Sequence, residues 1–183
     1  MSVVSENRAR RVGFRIPAVL IWFVVVVIAA LLQATWLEAV TVRGVLPDLL
    51  LLLTVFAAIY YTETHAMLVG ALGGLLHDVA RNTTLGHHVL CLVLVGYAGG
   101  RIAKRLVTHH PAVQAGLVFL ASLVYGLIYQ FIAYMQNPHG GVIEHVVSNV
   151  VPAAFYTAVI TPLVFVLLVR ILRRHQQAQG DLP

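Results

Sequence analysis

The sequence predicts an all-α, polytopic membrane protein with six transmembrane helices, the third of them short. Three observations carry this. Hydrophobic residues make up 60% of the 183-residue chain and charged residues 10%, with a mean hydropathy of +0.87. A soluble domain carries roughly 25% charged residues. The apolar residues fall into six stretches that helices can use to cross a bilayer. Ten of the twelve Lys and Arg residues sit in three clusters between and around those stretches: Arg8, Arg10, Arg11 and Arg15; Arg101, Lys104 and Arg105; and Arg170, Arg173 and Arg174. The exceptions are Arg43 and Arg81. Cytoplasmic ends of membrane helices retain positive charge. Six spans with both termini inside therefore place the ten clustered charges on the cytoplasmic side and the two strays outside. The basic pI of 9.8 is then topological and calls for no nucleic acid.

The chain divides into a basic cytoplasmic arm (1–16), a six-span membrane domain (17–172) and a polar cytoplasmic tail (173–183). The tail, rich in Gln, Gly and Asp, is expected to lack regular structure. Span one covers about Pro17 to Leu37. Its apolar run is longer than the roughly 7–15 residues of a signal sequence, so it reads as uncleaved. Trp36 suits the outer interface. Span two covers about Pro47 to Tyr61, with Pro47 expected in the first helical turn and Asp48 at the positive end of the helix dipole. Runs such as Leu49 to Leu53 read as lipid-compatible helix. Glu63 and His65 mark an inner turn, and span three covers about Ala66 to Val79. Arg81 to Thr84 form an outer turn, and span four covers about Leu85 to Ala103. His109, His110 and Pro111 complete an inner loop, and span five covers about Ala112 to Met135. The outer turn Asn137 to Gly141 leads to span six, about Val146 to Ile171, where Pro152 and Pro162 each free a backbone carbonyl.

Small residues recur at spacing four: Ala66, Gly70 and Gly74 on span three, Gly96 and Gly100 on span four. Such stripes let backbones approach closely. They fit either packing within the monomer or a face for another chain, a second copy included. His77 and Asp78 end span three, and Arg81 follows at helical contact spacing. An Asp78–Arg81 ion pair fixing the turn is expected. A proton relay or a metal site is the sharper alternative, and an intramembrane enzyme built on His77 and Asp78 a further one. Of nine histidines, His87–His88 and His109–His110 are adjacent, and neighbouring residues point to different helix faces, so the spacing makes no metal clamp. The chain carries no Gly-x-Ser-x-Gly, Walker or His-Glu-x-x-His motif. Cys91, the only cysteine, excludes an intramolecular disulfide and reads as a small buried hydrophobe. Tyr125, Tyr129, Gln130 and Tyr134 share one semi-polar surface of span five, suited to interhelical hydrogen bonds or a small cavity.

With these pieces in order, the chain resembles the MreD family of bacterial rod shape-determining membrane proteins. The residues that carry the likeness are Pro47-Asp48 before Leu49 to Leu53, then Gly70 through Asp78, then Leu85-Gly86, then Val95-Gly96-Tyr97-Ala98-Gly99-Gly100-Arg101. The motifs cover about residues 44–105; elsewhere length and hydropathy match. His77 before the aspartate and the Arg-rich arm depart from the pattern. The resemblance implies a non-enzymatic scaffold of the cell-elongation complex in the bacterial cytoplasmic membrane, with no cofactor. Its implied partners are MreC, the actin-like MreB filament, RodA and a class B penicillin-binding protein. It also implies a fold similar to the six-helix substrate-binding component of energy-coupling vitamin transporters. The same fold would serve a small-molecule-binding transporter component, the alternative function. From the residues and the resemblance together, the candidate structural or partner-binding positions are Pro47, Asp48, Gly70, Gly74, Asp78, Arg81, Gly86, Gly96, Tyr97 and Gly100.

Overall fold

A computed structural model describes residues 16–35, 46–81, 85–105, 110–136 and 146–180, and every regular element among them is helical. The order is α1 (Ile16–Thr35), α2 (Leu49–Tyr60), α3 (Glu63–Ala80), α4 (His87–Ala103), α5 (Pro111–Gln136), a π turn (Val146–Val150) and α6 (Val151–Gly180). The Arg-rich cluster of the arm, Trp36, Arg43, the Asn82–Thr84 turn, His109 and the Asn137–Gly141 turn lie outside the described residues.

The short helix is the second, not the third. Twelve residues give α2 a length of about 18 Å. It is apolar all round because it is surrounded: it packs on α1, α3, α4, α5 and α6. Leu50, Leu51, Leu52, Leu53, Val55, Phe56, Ala57 and Ala58 are all buried. The Leu49 to Leu53 run is therefore core rather than lipid-facing surface. Composition alone does not separate the two, since Leu suits both.

α3 is longer than expected because it starts at Glu63. The Thr62 side chain caps it, accepting the His65 N–H at 3.4 Å. Glu63 and His65 thus form a first helical turn rather than a loop. Pro111 likewise opens α5 instead of closing the loop before it, in the position where its missing N–H is harmless. Pro152 has no N–H to return to the Ser148 carbonyl, and the wider π register lies directly before it. The polar stretch from Arg173, expected without regular structure, continues α6 to Gly180. Extending an existing helix adds a hydrogen bond for each residue fixed, and Arg, Gln and Ala favour it.

Contacts show that successive helices alternate in direction. At one end the ring of Trp22 (α1) lies against Tyr61 (after α2), and Lys104 (after α4) pairs with Glu63 (α3) at 3.1 Å. Gln114 (α5) donates to the Tyr60 hydroxyl at 2.9 Å. Arg101, Lys104 and Arg105 belong to this end, and Arg170 lies beyond Phe165, whose ring meets Phe56 and Tyr60. At the opposite end the close of α1, α3 and α5 meets the start of α2, α4 and α6.

Candidate functional site

Most of the buried polar residues, among them Gln33, His77, Asp78, His88 and Thr157, gather at that opposite end, while Gln114 lies at the first. α2 begins there, and its first N–H groups have no partner within the helix. Asp48 is the N-cap, its Oδ1 accepting from the Leu51 N–H at 3.0 Å. Gln33, from the close of α1, accepts the N–H groups of Leu49 and Leu50 at 3.0 and 3.3 Å, and its amide donates to Asp48 Oδ1 at 3.4 Å. Asp48's own N–H donates to Thr157 Oγ1 of α6 at 3.2 Å. Three helices are thereby joined at one cap. Pro47 stands just before the cap, outside the helical turn expected for it; a residue before the N-cap also needs no N–H bond.

Asp78 makes a second junction. A carboxylate at the close of its own helix meets the negative end of that helix's dipole. Here it is turned onto the start of α4. Its Oδ2 accepts the Gly86 N–H at 2.7 Å; its Oδ1 accepts the His88 N–H at 3.2 Å and faces His88 Nδ1 at 2.6 Å. Asp78 is fully buried and His88 nearly so. Gly86, the N-cap of α4, has φ +105°, a left-handed conformation that suits glycine, and a Cβ there would meet open space. The glycine is thus needed for its backbone angle and not for room.

The expected Asp78–Arg81 pair is corrected by this geometry. Among the described residues, the ion pairs are His88–Asp78 and Lys104–Glu63. Arg81 is exposed at the C-cap of α3, while Asp78 points across to α4. Sequence spacing identified a neighbour on the same helix; burial favoured the partner on the next one.

The glycine stripes meet each other. A Cβ on Gly70 would lie 2.7 Å from the Leu92 carbonyl oxygen, and one on Gly74 2.5 Å from the Val89 backbone. From the other side, a Cβ on Gly96 would lie 2.8 Å from Ala66 backbone, and one on Gly100 2.9 Å from Glu63. α3 and α4 therefore touch backbone to backbone, and these four positions are filled from within the monomer. Tyr97 faces outward instead, its hydroxyl accepting from Arg101 at 2.9 Å.

Between the two junctions lies a cavity of about 300 Å³. Its wall includes Asp48, His77, Arg81, Ser122, Tyr125, Tyr129 and Gln130. The semi-polar surface of α5 thus faces a cavity through three of its four residues; Tyr134 is not on the wall. His77 is 6% exposed, and neither ring nitrogen has a hydrogen-bond partner. Its ring lies against His88, centroids 4.1 Å apart, and His88 in turn lies 4.7 Å from Tyr129. Gln33, Thr157 and the role of His88 escaped the sequence reading. Their signal was available: a lone polar residue in an apolar helix needs a partner.

The described structure is an all-helical bundle with two helices, Pro111–Gln136 and Val146–Ile171, long and apolar enough to cross a membrane. The family model described as rod shape-determining protein MreD matches residues 14–175, nearly the whole chain. The chain belongs to the MreD family of membrane proteins, which have a role in rod shape determination and are not known as enzymes. No curated protein and no solved structure gives a significant match.

Proposed function

We propose that this chain is a six-span, non-enzymatic scaffold of the bacterial cell-elongation complex, with both termini cytoplasmic. It binds MreC and helps couple the MreB filament to peptidoglycan synthesis by RodA and a class B penicillin-binding protein. The family match over residues 14–175 carries the reading. Two physical features support it. Large apolar side chains stand exposed along the helices, among them Leu163, Phe155 and Phe131; a soluble monomer seldom presents so continuous an apolar surface. The internal polar groups at Asp48 and Asp78 hold helix ends together, which suits a rigid platform. Tyr97 and Arg101, turned outward on α4, are the candidate contacts for a partner, whereas Gly70, Gly74, Gly96 and Gly100 act inside the monomer.

Purification of the tagged full-length chain from native membranes, with the bound proteins identified, tests this. Recovery of MreC in stoichiometric amount is expected. A preparation that lacks MreC and instead retains a transporter ATPase overturns the scaffold in favour of a transporter component.

A further inference from the structure

The cavity between the two junctions carries more hydrogen-bonding capacity than the helices around it use. His77 is buried with both ring nitrogens unpartnered. Ser122, Tyr125, Tyr129, Gln130 and Arg81 also line the cavity, and none of their side chains hydrogen-bonds a described residue. Asp48 commits Oδ1 to Leu51 and Gln33, and its Oδ2 has no partner among the described residues. The buried unpaired atoms among these are the His77 nitrogens, and leaving them so inside an apolar bundle is costly, whereas Arg81 is exposed and Tyr125, Tyr129 and Gln130 are half-buried. A chain that needed only packing here would do better with Phe or Leu at position 77. A polar occupant of the space would satisfy these nitrogens.

The charges on the wall narrow what that is. Asp78 is spent on Gly86 and His88, so it offers no open charge. What remains is one anion, Asp48, and one cation, Arg81, with neutral donors and acceptors between them. His77, Gln33 and Arg81 also line an adjoining cavity of about 100 Å³, so His77 stands on the partition between the two spaces. A wall with one charge of each sign complements a ligand that carries both. At about 30 Å³ per water, the larger space corresponds to roughly ten non-hydrogen atoms. We propose that this cavity binds a small zwitterionic organic molecule. Its cationic group meets Asp48, its anionic group meets Arg81, and its polar middle bonds His77. The site is independent of which protein partners the chain assembles with.

The test uses the full-length chain in lipid nanodiscs. The probes are the standard L-amino acids, glycine betaine and carnitine, with glutarate and 1,5-diaminopentane as controls of a single charge sign. Melting temperature and titration calorimetry are the readouts. At least one zwitterion is expected to bind saturably, one per chain, and to raise the melting temperature, while the controls do neither. His77→Phe removes the unpartnered nitrogens but keeps a ring, and Asp48→Asn keeps a capping oxygen but removes the charge. Each is expected to weaken binding at least about tenfold, with the unliganded melting temperature of Asp48→Asn near that of the parent. The proposal is overturned if no zwitterion binds and water alone fills the cavity. It is equally overturned if binding survives both substitutions, or if a single-sign control binds in place of the zwitterions.

Discussion

Asp78 is the residue whose role changes most between sequence and structure. Its position in the sequence, three before Arg81, suggests a local ion pair worth about 0–1 kcal/mol at an exposed site. Its position in space makes it a buried acceptor for two backbone N–H groups and a histidine ring. Asp78→Asn replaces one accepting oxygen by an NH₂ group that must face a donor. The loss of a charged acceptor and the donor left unpaired together cost about 2–5 kcal/mol. Thermal melting of the purified variant is expected to show that loss. The double exchange Asp78→Arg with Arg81→Asp should recover nothing over Asp78→Arg alone. Recovery in the exchanged protein would restore the local pair as the operative contact. The importance of Asp78 was legible in the sequence, as an ionisable residue ending an apolar helix. Its partner was not, because His88 is ten positions away and its approach depends on how α3 and α4 cross.

At the scale of elements, the seam between α3 and α4 is set by what glycine lacks. A side chain at Gly74 has no space: even a Cβ would press on the Val89 and His88 backbone, which belongs to a helix and moves only with it. Gly70 faces the Leu92 backbone in the same way. Gly116 on α5 is different, since a Cβ there meets nothing within 4 Å. Gly74→Ala is expected to destabilise by about 1–3 kcal/mol through overpacking. Gly116→Ala should be neutral or stabilising by up to about 1 kcal/mol, because alanine is the better helix former. Denaturation of the two variants side by side checks this; equal stability would mean that the seam yields freely. The small-residue spacing announced such a seam in the sequence. That both sides lie in one chain required the fold. So did the burial of α2, whose leucine run looks the same to lipid as to a protein core.

At the scale of the whole molecule, orientation follows from which charges share an end. The contacts of Trp22 with Tyr61, Lys104 with Glu63 and Gln114 with Tyr60 gather one set of helix ends, and Arg101, Lys104, Arg105 and Arg170 belong with them. Rings of Trp22, Tyr60 and Tyr61 lie at the same end, where amphipathic aromatic side chains favour a membrane–water boundary. The opposite end holds Arg81 as its described arginine, beside the Asp48 cap and the Asp78 junction. If positive charge is retained on the cytoplasmic side, the basic end faces the cytoplasm and the cavity opens outward. Reporter fusions separate this from the inverted arrangement. A fusion after Arg174 is expected to give a cytoplasmic signal, and one within Asn137 to Gly141 an extracytoplasmic signal. The alternation of α5 and α6 requires the two signals to be opposite. Two signals of the same kind would remove α6, the helix between the two fusion points, from the membrane, and with it the six-span arrangement. Opposite signals in the reverse sense would keep the bundle but place the cavity on the cytoplasmic side, where a ligand would have to arrive from within the cell.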